Sequence, residues 1–241
     1  MILAIQRYMS KKTQITKNLL FMFVFFWMAL LFQLIGLLMK YIWLPNEPYL
    51  GQSGSELFSN PQWIIFIIPR LIRHFVLTLI FSVVAIFFFY RFSTLVFSEK
   101  EKQGKVGITL ALIGMVFLIT WGFLHRSLAK PSNFGDFEVV YTIDIYVVLY
   151  AFICCFPIMR GSWHLLKRLP RDQPYRRSIQ YILLTAAGIV LILIMYALET
   201  ITNVLSNTAA NINVFSFLGS TIMVLTLLFA FRGFFVQKPI N

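Results

Sequence analysis

The stretch NLLFMFVFFWMALLFQLIGLLMKYIWL, residues 18–44, decides how this chain is read. It runs for 27 residues, and Lys40 is its only charged side chain. About 20 predominantly apolar residues in a helix cross the hydrocarbon core of a bilayer, so this segment is long enough to cross with tilt. Arg7, Lys11, Lys12 and Lys17 precede it, and Pro45, Glu47 and Pro48 stop it. A cleaved signal peptide has a shorter apolar region, about 7–15 residues, ending at a small-residue site. The segment therefore reads as a retained membrane helix that starts on the cytoplasmic side.

The rest of the chain follows the same pattern. Of 241 residues, 59% are hydrophobic, 26 are Phe and only 12% are charged. Soluble domains carry about 25% charge, and water would not hold this much apolar surface in solution. Further apolar segments span about 71–97, 106–123, 139–159, 179–201 and 214–231. The reach from Trp63 to Phe97 is too long for one crossing, because 35 residues at about 1.5 Å each cover about 52 Å. Residues 62–69, closed by Pro69 and Arg70, read instead as a short interfacial helix before the second span. The expected fold class is all-α: a polytopic transmembrane helix bundle, one domain, six spans, N-in/C-in. Gly107, Ala111 and Gly114 form a small-residue stripe on the third span. Ala186, Ala187 and Gly188 lie near the middle of the fifth span, and the sixth contains Gly219 and Ser220.

Charge placement sets the orientation. With the N-terminus inside, only Lys40, Arg70, Arg73, Arg126 and Lys130 of the 21 lysines and arginines fall outside. That agrees with the positive-inside rule, which an odd number of crossings would break. The net charge of +12 is thus a topological signal and an attraction to anionic headgroups. Nucleic acid is not an expected partner. The lipid bilayer is, together with a protein partner or a second copy of the chain, in a plasma (inner) membrane. The adjacent Cys154 and Cys155 fall in an apolar run, cannot staple distant segments, and read as buried thiols.

Two groups of residues are candidates for function. Asp144 lies inside the fourth span, where an acid is costly and usually faces a partner in the bundle interior. Arg73, His74, His125 and Arg126 are expected at the same outer depth, and Glu199 near the outer end of the fifth span. This outer cluster reads either as a ligand, proton or ion site, or as a structural ion pair. A metal site would need three or four matched ligands, here drawn from four helices, so no metal and no cofactor is expected. The second group is the stretch from Arg160 to Arg177, with Arg160, Lys167, Arg168, Arg171, Arg176 and Arg177 around Trp163 and His164. It reads as a loop or short basic helix along the membrane that fixes topology, or docks a cytoplasmic partner or anionic lipid.

The sequence contains no phosphate-binding P-loop, no HExxH zinc motif and no GxSxG nucleophile elbow. Three readings of function follow: a non-enzymatic sensor, regulator or complex subunit; a permease subunit of a transporter; or a membrane-embedded enzyme acting on lipid-linked substrates. If Asp144 is held in a structural ion pair, Asp144→Asn lowers the melting temperature of the detergent-extracted protein. An unchanged melting temperature with loss of a measured activity would refute the structural pairing.

Overall fold

The computed structural model describes residues 13–38, 76–97, 101–128, 135–170, 173, 175–205 and 214–235. Among these residues there are six α-helices: α1 (Gln14–Leu38), α2 (Val76–Phe97), α3 (Glu101–Leu128), α4 (Gly135–Arg168), α5 (Tyr175–Leu205) and α6 (Val214–Phe235). All six contain a stretch long and apolar enough to cross a membrane. The chain is a multi-pass integral membrane protein, helical throughout its described spans. The expected interfacial helix at 62–69 lies outside the described residues.

The helices depart from the expected spans at their ends. The first starts at Gln14 because Thr13 caps it: the Thr16 amide donates to Thr13 Oγ1 at 3.3 Å, and the Thr13 amide donates to Thr16 Oγ1 at 3.1 Å. This reciprocal pair satisfies donors that the first helical turn leaves open. The fourth helix continues through Pro157 to Arg168 instead of ending near 159. Proline removes one amide donor, yet unwinding the helix at that depth would leave several backbone groups without partners in hydrocarbon. The helix ends only where Leu169 precedes Pro170, a position that disfavours helical backbone. The first half of the basic stretch after Met159 is therefore a continuation of α4 and not a separate surface helix.

The helices alternate in direction. Phe234 near the end of α6 meets Phe23 near the start of α1 at a ring separation of 6.1 Å, and Phe92 near the end of α2 at 5.1 Å. Gly107 near the start of α3 sits against Tyr90 of α2, and Gly161 of α4 against Phe97. At the other end, Gly122 of α3 meets Leu79, and Gly219 of α6 meets Tyr196 of α5. Lys17, Arg91, Lys105, Arg160, Lys167, Arg176 and Arg232 share the first of these ends, called the basic end below.

In the bundle α2 packs against α1, α3 and α4, while α5 packs against α4 and α6. α2 does not gather its few polar residues on one side and has the largest buried share of the six candidate spans. A helix without a preferred polar side suits a position with neighbours on several sides. Along the α1–α2 seam, phenylalanines interleave: Phe25 stacks on Phe88 at 5.7 Å and Phe32 on Phe81 at 5.3 Å. Aromatic pairs of this kind contribute about 0.5–1.5 kcal/mol each beyond their area. α3 is peripheral. Its small residues face inward, while Val106, Leu110, Ile113 and Phe117 are exposed along the opposite side.

Close approach of α5 and α6 depends on Gly188, where an added Cβ would overlap the side chain of Thr226, which is itself buried. Thr226 is β-branched and short, so it has little room to yield. Gly188→Ala is expected to lower the melting temperature in detergent. Thr226→Ala in the same chain should recover part of that loss, because it removes the colliding atoms. Equal losses in the single and double variants would exclude this contact as the cause.

Candidate functional site

The inward face of α4 is a narrow stripe. Val147, Tyr150, Ala151, Cys154, Cys155, Ile158 and Ser162 recur at three- and four-residue intervals and are all buried. The Tyr150 ring lies on Gly114 of α3, where an added Cβ would come within 3.1 Å of it. Its hydroxyl donates to the carbonyl of Ala111, one turn earlier on α3, at 3.1 Å. The inward-facing small residues of α3 thus receive both a ring and a hydroxyl. Cys154 and Cys155 lie one turn beyond Tyr150, 1% and 0% exposed. Thiols so enclosed are shielded from water-borne reagents.

Several buried polar atoms have no hydrogen-bond partner among the described residues: the Asn18 amide nitrogen and the hydroxyls of Thr78, Ser93 and Ser162. Elsewhere the helix hydroxyls bond back to a carbonyl on the preceding turn, as Thr185 does to Tyr181 at 2.7 Å. Asn18, Ser93 and Ser162 all sit toward the basic end, so the interior there is less apolar than in the middle of the bundle.

The structure reaches only part of the expected outer cluster. Arg73 and His74 lie outside the described residues. His125 and Arg126 are on α3 and Asp144 is on α4, but their side chains are not among those described. Glu199 is on α5 and partly buried. Among the described residues there is no group of three or more His, Cys, Asp or Glu able to hold a metal ion.

The basic group gathers where α4 meets α5. Arg160, Lys167 and Arg168 are exposed on α4, Arg177 is exposed on the first turn of α5, and Arg176 beside it is partly buried. Arg171 lies outside the described residues. Lys167 and Arg168 occupy the last turn of α4, where cations oppose the negative end of the helix dipole. The chain then turns sharply. The Leu169 amide donates to Leu165 O at 3.0 Å, and the Arg176 amide donates to Gln173 O at 3.1 Å. The Arg176 guanidinium reaches back across the corner and donates to Leu169 O at 2.6 Å. Lys167 Nζ lies 5.2 Å from the centre of the Trp163 ring, within cation–π range.

At this corner lies an open pocket of about 470 Å³, lined by Trp163, Leu166, Lys167, Leu169, Pro170, Arg176 and Gln180. Two cations meet an indole and an aliphatic wall there. A guanidinium suits the paired oxygens of a phosphate or carboxylate, and one of its five N–H groups suffices for the bond to Leu169. The expectation of basic residues near Trp163 pointed to this stretch, but not to a cavity. The missed signal is the run from Ser162 to Leu169, which contains neither Gly nor Pro and therefore carries the helix onward.

No protein-family model matches the chain, and no curated protein or solved structure shows significant similarity to it. The functional reading rests on the residues themselves.

Tyr150→Phe keeps the ring on Gly114 and removes the hydrogen bond to Ala111. Such bonds between membrane helices contribute about 0.6 kcal/mol on average and up to about 1.7. A fall of a few degrees in detergent melting temperature is expected, measured beside the wild type. No fall at all would mean that the ring alone holds α3 to α4.

Proposed function

We propose that this protein is a non-enzymatic membrane module, a sensor, regulator or subunit of a larger complex. In this reading it crosses a plasma (inner) membrane six times with its basic end in the cytoplasm. The orientation rests on the gathering of Lys17, Arg91, Lys105, Arg160, Lys167, Arg176 and Arg232 at that end. The observation that carries the functional reading is the sealed interior of α4. Its thiols and Tyr150 are enclosed by α3 and neighbouring helices, and the described cavity lies at the end of the bundle, not along its axis. The exposed apolar side of α3 supports the same reading, since it offers a long flank to lipid, to a protein partner or to a second copy of the chain.

A permease subunit would instead need a water-accessible path through the bundle when it changes conformation. An enzyme on lipid-linked substrates would need a cavity at Asp144, Glu199 and the outer histidines. Cys154 and Cys155 are the only two cysteines in the chain, so the first alternative has a direct chemical test. A water-soluble maleimide applied to native membranes is expected to leave both thiols unmodified and to modify both after denaturation in detergent. Labelling of either thiol in the native membrane would place water along α4 and replace the module reading with the permease.

A further inference from the structure

We infer that the corner between α4 and α5 is a binding site for the headgroup of an anionic phospholipid, with the phosphate held between Lys167 and Arg176. The inference deepens the proposed function by naming a ligand class, and it rests on that reading only for the membrane-spanning orientation of the bundle.

Three observations lead to lipid and not to a soluble anion or an acidic peptide. The first is the continuity of one face of α4. Tyr146, Leu149, Ile153 and Phe156 are exposed and apolar, and the same three- and four-residue spacing carries on to Arg160, Trp163 and Lys167. A single stripe thus passes from hydrocarbon-compatible side chains to an arginine, an indole and a lysine within about three turns. That is the order in which acyl chain, interface and headgroup follow one another in a leaflet, and indoles favour the interface. The second is the wall of the cavity. Leu166, Leu169 and Pro170 stand beside the two cations, so the site has an apolar side for the glycerol region as well as a charged side for the phosphate. The third is preorganisation. Arg176 is held by its bond to Leu169 O, and the Lys167 ammonium lies over the Trp163 ring. Little side-chain freedom is then lost on binding. The volume, about 470 Å³, is within the range of small-molecule sites. Basic pockets between membrane helices on the cytoplasmic side are suited to anionic headgroups.

The test uses the full chain, purified and delipidated in detergent, with native mass spectrometry as the readout. Phosphatidylglycerol and phosphatidylcholine of identical acyl chains are added in competition. One phosphatidylglycerol is expected to bind in preference to phosphatidylcholine. Lys167→Gln is expected to weaken that preference about fivefold, the equivalent of about 1 kcal/mol for one interfacial cation. Arg232→Gln removes a cation from the same end of the bundle but outside the cavity, and is expected to leave the preference unchanged. Arg176→Lys keeps the charge but loses the fork, and is expected to fall between wild type and Lys167→Gln. Equal binding of the two lipids, or equal losses in Lys167→Gln and Arg232→Gln, would overturn the assignment. Displacement of phosphatidylglycerol by millimolar inorganic phosphate would also overturn it, in favour of a soluble anion. Any of these failures leaves the thiol-labelling result untouched, so the two proposals fall separately.

Discussion

Hydrocarbon is as apolar as leucine, so these helices gain nothing from escaping their solvent and must be held together by shape. The structure meets that constraint by setting small residues against large or rigid ones. Gly107 takes Tyr90, Gly114 takes the Tyr150 ring, Gly161 takes Phe97 and Gly188 takes Thr226. In each case the absent Cβ lets two backbones approach, and the partner side chain fills the space with dispersion contacts that lipid would not supply as densely. Tyr150 goes further, because the same approach brings its hydroxyl to the Ala111 carbonyl.

Aromatic packing closes what the small residues begin. The chain devotes 26 residues to Phe, and they are not spread evenly over the bundle. One set interleaves along the α1–α2 seam, and a second gathers around Phe234, which meets Phe23, Phe89 and Phe92 edge-on. Phe234 therefore ties the last helix to the first two at the basic end. The same end carries the orphaned polar groups of Asn18, Ser93 and Ser162, and the cavity between α4 and α5. Tight aromatic packing and unsatisfied polarity thus coexist at this end.

Parts of this arrangement were legible residue by residue. The stripe of Gly107, Ala111 and Gly114 announced a close contact, and the structure supplies its occupants, Tyr90 and Tyr150. The contact of Gly188 with Thr226 between α5 and α6 emerges only from the structure. The end of the fourth span was not legible, because Pro157 and the basic residues after it resemble a helix stop followed by a loop. Lipid and neighbouring helices penalise an unwound backbone, and that penalty outweighs the single lost hydrogen bond. The candidate site followed the same division. The cations of the α4–α5 corner were visible as a group, but Gln180 and the aliphatic wall join them only through the turn at Leu169 and Pro170.

What the sequence determined alone is that this chain lives in a membrane as a set of helices. A long apolar run satisfies its backbone by local hydrogen bonds whatever its neighbours are, so the decision needs no tertiary information. What only the tertiary structure decided is which side of each helix meets protein and which meets lipid. α2 and α6 do not gather their few polar residues on one side, and an apolar side chain carries no mark of whether its neighbour will be a phenylalanine or an acyl chain. That choice, made by the fit of small residues to large, turns the stripe from Tyr146 to Lys167 outward, seals Cys154 and Cys155 inward, and brings Lys167 and Arg176 around one cavity.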